Sequence, residues 1–241
     1  MDHITLITVL ISGNGSNFQA IIDAIQSGEL PAKIVRVISN RKDAYGLERA
    51  KNANIPSHYH NLVKYKKQHP ATEKGIKQAR EEYDKELARL ILEDSPELVV
   101  CLGFMHVLSP AFLDPVKDAN IKVINLHPAL PGEFTGANAI ERAHAAWLEG
   151  KIDRTGVMIH DVIAEVDLGV PILVKEIPFI KGVDEDISAL KQRIHEVEWK
   201  AVVEGVGTAI QQLHLIKGHP LPENGTSSND SRGRILDRPA P

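Results

Sequence analysis

The sequence predicts a Rossmann-like α/β fold, with a mainly parallel sheet and helices on both faces. Apolar, β-branched runs recur along the first half of the chain, and segments with helical periodicity separate them. Residues 17–27 and 81–92 are two such helical segments. This alternation is typical of a parallel sheet that is covered on both sides. The strand-like runs span residues 4–11, 33–39, 97–102 and 121–126.

The pattern changes after this last strand. A loop rich in proline and glycine, residues 128–136, leads into a predicted helix over residues 138–148. Two strand-like runs follow, and then a long amphipathic helix, so the second half extends the same sheet. These elements cover residues 155–161, 170–178 and about 184–213.

Domain organisation follows from this order of elements. We expect one domain over residues 1–217, because the sequence contains neither an internal repeat nor a linker. Residues 218–241 are dominated by proline, glycine, serine and asparagine, with few residues that would form a core. Such a composition predicts a disordered tail.

Composition limits the classes of function. The formal net charge of -4 provides no basic field for a nucleic acid. Cys101 is the single cysteine and lies in an apolar run, so an internal disulfide is impossible and a reducing compartment fits. No stretch approaches the roughly 18 apolar residues of a membrane span. We expect a cytoplasmic monomer or homodimer that acts on small molecules.

A glycine-containing loop, residues 12–17 (SGNGSN), follows the first strand and opens the first helix. Free N–H groups and the helix dipole predict an anion site there, with phosphate as the natural ligand. Phe18 stands where a dinucleotide fingerprint has its third glycine, and residues 39–42 contain no acidic residue for a ribose, so NAD is disfavoured. The alternative is a plain turn in which Ser16 or Asn17 caps the helix.

Asn125 and His127 form a polar pair at the end of an apolar strand. Strand alternation places both on the same side, and the carboxyl ends of parallel strands form the ligand crevice of such sheets. The alternative is a satisfied polar pair that caps the strand. The acidic turn at residues 161–169, which includes Asp167, follows some forty residues later, where it would meet the same crevice.

These segments resemble the glycinamide ribonucleotide formyltransferases of purine synthesis. The resemblance covers residues 4 to about 215, with several specific blocks in the same order. Ala129, the glycine-bounded loop 132–136 and residues 138–142 are most similar to the fungal branch. The shared blocks are residues 10–17, 103–105, 125–130, 155–157 and 165–169.

The resemblance implies transfer of a formyl group from 10-formyltetrahydrofolate to the amine of phosphoribosylglycinamide. Asn125 and His127 would stabilise the oxyanion of the tetrahedral intermediate. Asp167 would raise the pKa of His127 and make the imidazolium a general acid. The N-terminal half would bind the ribonucleotide and the C-terminal half the folate. The ribonucleotide contacts implied are Gly15, Ser16, Asn17 and Glu198.

The folate contacts are also implied by the resemblance. The segment Met105-His106-Val107-Leu108 would cradle the pterin, and differs from the Met-Arg-Ile-Leu of the bacterial branch at its second residue. Arg80 would approach the folate, although an exposed helix arginine is the alternative. His160 is a second candidate near the folate, or else a satisfied core histidine. The implied folate contacts are Arg80, Met105, His106, Val107, Leu108 and Asn125.

No metal is expected. His58 and His60 have a spacing that suits a metal but lack a cysteine or acidic partner, which favours a solvated strand or loop. Two other functions remain open: a formyltetrahydrofolate hydrolase with the same three residues, and a non-catalytic nucleotide-binding module. The hydrolases usually carry an extra N-terminal regulatory domain, whereas this chain starts almost at its first strand. A transferase acting on initiator tRNA is disfavoured by the missing extra C-terminal domain and by the acidic balance.

Overall fold

The computed structural model describes residues 3–218 of the 241-residue chain. The predicted tail therefore lies outside the described residues except for Gly218. Seven strands form one sheet in the order β3-β2-β1-β4-β5-β6-β7. The first five are parallel, whereas β6 and β7 are antiparallel to their neighbours, which confirms a mainly parallel sheet. The strands are β1 (Thr5–Ile11), β2 (Ala32–Ser39), β3 (Ser57–Tyr59), β4 (Leu98–Leu102), β5 (Lys122–His127), β6 (Arg154–Asp161) and β7 (Pro171–Pro178).

Seven helices accompany the sheet in this part of the chain. Four short elements, β3, α2, α3 and α5, were not predicted; the first three have eight residues or fewer, and α5 contains two prolines. The helix α4 begins eight residues before the predicted 81, because Thr72 caps it by accepting the Gly75 N–H. The helices are α1 (Ser16–Gln26), α2 (Tyr45–Asn52), α3 (Leu62–Lys66), α4 (Glu73–Asp94), α5 (Pro110–Asp118), α6 (Ala139–Leu148) and α7 (Ile187–Lys217).

Helices pack on both faces of the sheet, as predicted. Alternate residues of β1 show this division: Ile7, Val9 and Ile11 pack against α1 and α7, whereas Leu10 packs with α4 and α5 on the other face. These four side chains of β1 are fully buried. No helix in residues 3–218 is long and apolar enough to cross a bilayer.

The reversal of direction at β6 brings together residues that are distant in sequence. Because β5 and β6 pair antiparallel, Asn125 lies opposite His160 and His127 lies opposite Met158. Residues 162–170 then fold back and connect β6 to β7. The carboxyl ends of the parallel strands therefore share one edge with a loop that comes from the antiparallel part.

Candidate active site

The glycine loop leads directly into the first turn of α1. Gly15 is the N-cap residue, with a left-handed φ of 74° and no side-chain capping bond, and the helix begins at Ser16. The alternative in which Ser16 or Asn17 caps this helix is therefore wrong. The N–H groups of Ser16, Asn17 and Phe18 have no acceptor within the helix, as at every helix start. They form a site suited to a phosphate.

Close contact with α2 holds the glycine loop in place. Gly46 donates its N–H to the Gly13 carbonyl at 3.1 Å. A Cβ atom added to Gly15 would lie 2.9 Å from the Gly46 Cα, so the contact admits no side chain there. Arg49 adds a hydrogen bond from Nε to the Asn14 carbonyl at 2.9 Å. The loop is thus fastened to a neighbouring helix on its outer side.

Glu198, on α7, lies beside this loop despite its separation in sequence. Asn17 donates from Nδ2 to the Glu198 Oε2 at 3.1 Å. Burial raises the pKa of the Glu198 carboxyl, and the bond from Asn17 offsets part of this effect. The predicted contact residues Asn17 and Glu198 are therefore brought together, while their contact with a ribonucleotide stays a prediction.

Asn125, His127 and Asp167 also meet, at the end of β5. The Asp167 carboxylate lies 3.4 Å from His127 Nδ1 through Oδ2, and accepts from Asn125 Nδ2 at 3.4 Å through Oδ1. The Gly136 N–H donates to Oδ2 at 2.7 Å, the shortest of these contacts. Asp167 has a left-handed φ of 57°, which its short polar side chain tolerates. The predicted approach of the acidic turn to the strand pair is observed.

His160 belongs to the same cluster. Its Nδ1 lies 2.9 Å from the Asp161 carbonyl, which can only accept, so Nδ1 carries the proton. Its Nε2 then lies 3.1 Å from Asn125 Nδ2 and 3.5 Å from Asp167 Oδ1. His160 therefore orients the amide of Asn125, whose two Nδ2 hydrogens face His160 Nε2 and, at the longer distance of 3.4 Å, Asp167 Oδ1.

The pKa of His127 differs in direction from the sequence-based expectation. Burial lowers this pKa below its ordinary value of 6.5; Asp167 and the Phe134 carbonyl raise it, and His160 and Arg142 lower it further. The net shift is downward. Asp167 acts on His127 in the predicted direction, but removal of the ring from water outweighs it. His127 is therefore mainly neutral at pH 7 in the free protein.

Asp167 is held as a carboxylate. Burial alone would raise the pKa of its carboxyl, but His160, the Gly136 N–H and His127 together hold the pKa below its usual value. Hydrogen bonds to the charged form favour that form. The site thus combines a neutral imidazole with a permanently charged partner near neutral pH.

The loop at residues 132–136 completes the cluster. The Phe134 carbonyl accepts from His127 Nε2 at 3.1 Å and from Arg142 Nη2 at 2.7 Å. Arg142 also donates to the Thr135 carbonyl at 2.6 Å. The sequence shows this glycine-bounded loop but indicates no role for Phe134 or Arg142. Backbone carbonyls leave no mark in a sequence pattern, so these contacts were not predictable.

The segment expected to cradle the pterin joins β4 to α5. Met105 and Val107 are exposed, at 71% and 49%, whereas the His106 side chain turns inward and lies 2.6 Å from Asp84. The histidine that stands where the bacterial branch has arginine is thus hydrogen-bonded to a carboxylate, and it points away from the cleft. The Met105 N–H donates to the Ser12 hydroxyl at 2.7 Å, which ties this segment to the residue preceding the glycine loop.

A cleft of about 650 Å³ opens beside this segment, within the usual range for small-molecule sites. Arg80, half-buried on α4, lines it together with Val107, Leu108 and Ala164. Lys77 and Glu81 also contribute charged groups. Arg80 is therefore placed beside the predicted folate contacts, while its contact with folate stays a prediction.

His58 and His60 lie away from these clusters. His60 is buried, with 4% exposure, and its Nε2 lies 3.0 Å from the Tyr83 carbonyl, so the expectation of a solvated strand or loop is wrong for this residue. The residue packs on the Tyr83 ring instead. Within residues 3–218, no group of three or more histidine, cysteine, aspartate or glutamate side chains is arranged to hold a metal.

The fold and the two residue clusters together define a class of active site. Hydrogen-bond donors for a developing oxyanion lie at the same sheet edge as an anion-binding helix start, as in enzymes of acyl transfer to phosphorylated substrates. The family model described as formyl transferase matches residues 5–206. The chain belongs to this family.

Individual relatives within this family share one activity in their names. The chain is 50% identical over 202 residues to phosphoribosylglycinamide formyltransferase of Schizosaccharomyces pombe, with 83% of this chain and 94% of the relative covered. The Saccharomyces cerevisiae protein of the same name is 43% identical, with 86% and 98% covered. Glycinamide ribonucleotide transformylase 1 from Symbiobacterium toebii is a structural neighbour, with a TM-score of 0.74, 30% identity, and coverage of 88% of this chain and 90% of the neighbour. These relatives confirm the predicted fold and resemblance.

Substitution of Gly169 tests how the Asp167 turn is held. A Cβ atom at residue 169 would lie 1.6 Å from the Asp161 carbonyl oxygen, so Gly169→Ala must displace the turn. We expect a loss of formyl transfer on the order of 100-fold, as for displacements of about 1 Å in a reacting geometry. Gly207→Ala is the control, because its Cβ would meet Leu30 at an ordinary 3.5 Å. Equal activity of both variants would contradict a fixed turn.

The direction of the His127 pKa shift is measurable by NMR titration. In the free protein we expect the imidazole of His127 to take up its proton only as the pH falls below 6.5, since burial lowers its pKa. Asp167→Asn removes the main raising influence, so its His127 should titrate at still lower pH. Loss of the signal in His127→Ala assigns the resonance. A titration midpoint above 6.5 in the unsubstituted protein would contradict burial as the dominant influence on the pKa of His127.

Proposed function

We propose that this protein transfers the formyl group of 10-formyltetrahydrofolate to the amine of N1-(5-phospho-D-ribosyl)glycinamide, a step of purine (IMP) biosynthesis. The observation that supports this most is the meeting of Asn125, His127 and Asp167 at the sheet edge that also carries the glycine loop. The relatives at 43% to 50% identity carry the name of this activity. We propose no metal for the reaction.

The ribonucleotide would occupy the glycine-loop end of the crevice. Its phosphate would accept from the N–H groups at the start of α1, contributed by Gly15, Ser16 and Asn17. Glu198, next to Asn17, would accept from the ribose hydroxyls. The glycinamide amine would then extend toward Asn125 and His127.

The folate would occupy the cleft beside the Met105–Leu108 segment. Exposed apolar side chains suit the pterin and benzoyl rings, and the backbone groups of the segment suit the polar edge of the pterin. Arg80 would attract the carboxylates of the glutamate tail. This placement would direct the formyl group toward Asp167 and its partners.

The reaction forms a C–N bond between the acceptor amine and the formyl carbon. Negative charge develops on the formyl oxygen, and Asn125 Nδ2 would donate to this oxygen in place of its 3.4 Å contact with Asp167 Oδ1. The Nε2–H of His127, which donates to the Phe134 carbonyl in the free protein, would exchange that bond for the formyl oxygen and provide a second donor. Donors already aimed at a developing charge lower the barrier without reorganisation.

Proton transfer follows from the neutral state of His127. The neutral ring would take the proton of the attacking amine through a water molecule held by the Asp167 carboxylate. The negative charges of Asp167 and of the developing oxyanion both favour the imidazolium. The imidazolium would pass this proton to N10 of the folate as the bond between N10 and the formyl carbon breaks. Formylated ribonucleotide and tetrahydrofolate remain, with His127 neutral again. This sequence replaces the initial imidazolium that the sequence-based hypothesis assumed.

One assay separates this proposal from the alternatives. Turnover of 10-formyltetrahydrofolate is measured with and without phosphoribosylglycinamide, and the formylated product is quantified. Turnover that requires the ribonucleotide supports the proposal. Equal turnover without it would indicate a hydrolase, and no turnover under either condition would indicate a non-catalytic binding module.

Removal of His127 tests its catalytic role. We expect His127→Ala to lose on the order of 100-fold or more in kcat, the low end of effects from general acid–base groups. Steady-state kinetics at saturating concentrations of both substrates measure this loss. A variant with wild-type kcat would remove His127 from the mechanism.

A further inference from the structure

Asp84 is a buried carboxylate that the proposed reaction does not use. It lies on α4 and is fully buried, and both of its oxygens contact one segment of the chain. Oδ1 lies 2.6 Å from His106 Nε2, and Oδ2 accepts the Ser109 N–H at 2.8 Å. Burial of a carboxylate is unfavourable unless it is paired and hydrogen-bonded. Both partners belong to the segment between β4 and α5, so this is the segment that Asp84 holds.

The held segment, residues 105–108, exposes alternate side chains. Met105 and Val107 point outward, whereas the His106 side chain is 3% exposed and Leu108 is buried. The backbone groups of His106, Val107 and Leu108 have no hydrogen-bond partner within residues 3–218. The inward anchor at His106 therefore holds a row of backbone donors and acceptors without partners, in a segment whose Val107 and Leu108 line the cleft.

The surroundings of the His106–Asp84 pair exclude water. The buried Tyr83 ring meets the His106 ring edge-on, with 4.8 Å between centroids. A second carboxylate on the same helix provides a contrast: Glu82 lies 2.9 Å from His69, but the Glu82 carboxylate is 48% exposed. An enclosed pair is stronger than an exposed one, since low local polarity strengthens a satisfied hydrogen bond.

We propose that Asp84 is a positioning residue for the cosubstrate: through His106 and the Ser109 N–H it holds residues 105–108 in the conformation that binds the pterin of a reduced folate. The proposal rests on the proposed function, because it assumes that this segment binds folate. Asp84 itself touches no reacting atom. Asp84 instead determines the fraction of molecules in which residues 105–108 have the binding conformation. Its substitution should therefore change the affinity for folate but not the affinity of the glycine loop for the ribonucleotide.

Binding measurements without turnover test this separation. Calorimetric titration with tetrahydrofolate alone, and separately with phosphoribosylglycinamide alone, gives a Kd for each ligand. For Asp84→Ala we expect the Kd of tetrahydrofolate to rise about tenfold, as for a segment that is binding-competent in one molecule out of ten. The Kd of the ribonucleotide should stay at its wild-type value. A general loss of folding would change both affinities together.

Variants of His106 keep the test decisive if Asp84→Ala does not fold. His106→Ala removes the side chain that carries the pair, and should weaken tetrahydrofolate in the same way. His106→Gln keeps an N–H donor at a similar reach and should restore most of the affinity. Glu82 lies on the same helix as Asp84 and provides the matched control: Glu82→Gln removes the charge of its exposed contact with His69, and should leave both affinities unchanged.

The outcomes distinguish the two proposals. Folded Asp84→Ala or His106→Ala with wild-type affinity for tetrahydrofolate would overturn the role of Asp84 and leave the proposed function intact. Equal loss of both ligands would also overturn it, since the effect would then be structural. If the wild-type protein binds phosphoribosylglycinamide but not tetrahydrofolate, the proposed function itself fails.

Discussion

The Asp167 carboxylate is the point on which the arrangement of the candidate site depends. It contacts groups from three separate parts of the chain: Asn125 and His127 at the end of β5, His160 on β6, and the N–H of Gly136. Each contact is possible only because β6 reverses direction and its following turn folds back over β5. A parallel strand at this position would carry its connection away from Asn125 and His127. The antiparallel part of the sheet therefore places the Asp167 carboxylate beside the end of the parallel strand β5.

The Ser12 hydroxyl links the two halves of the crevice. Ser12 donates to Asn40 Oδ1 at 2.6 Å and accepts the Met105 N–H at 2.7 Å. It immediately precedes the glycine loop, so the phosphate end and the proposed folate segment share one anchor. Met105 is held from this side and His106 from the other, by Asp84. The segment between β4 and α5 is thus defined by contacts at both of its faces rather than by its own secondary structure.

Much of this arrangement was predictable from the sequence. Strand alternation placed Asn125 and His127 on one side, and the strand-end rule placed them at the same edge as the glycine loop. The direction of the His127 pKa shift was not predictable, because it depends on how far burial outweighs Asp167. Asp84 was not predictable either: in the sequence it is one of several acidic residues in a polar helix, and only tertiary packing separates it from the exposed Glu82. The contacts of Phe134 and Gly136 use backbone atoms, which residue identity does not report.

The contact between Gly15 and Gly46 has a consequence for the entropy of recognition. A loop that orders only around its ligand loses conformational freedom at the moment of binding, and affinity is reduced accordingly. Here the glycine loop is packed against α2 at a distance that admits no side chain, and Arg49 fastens its outer carbonyl. Its freedom is therefore lost when the chain folds. Recognition of an anion at this loop then resembles the docking of a rigid body, in which the ligand alone loses motion.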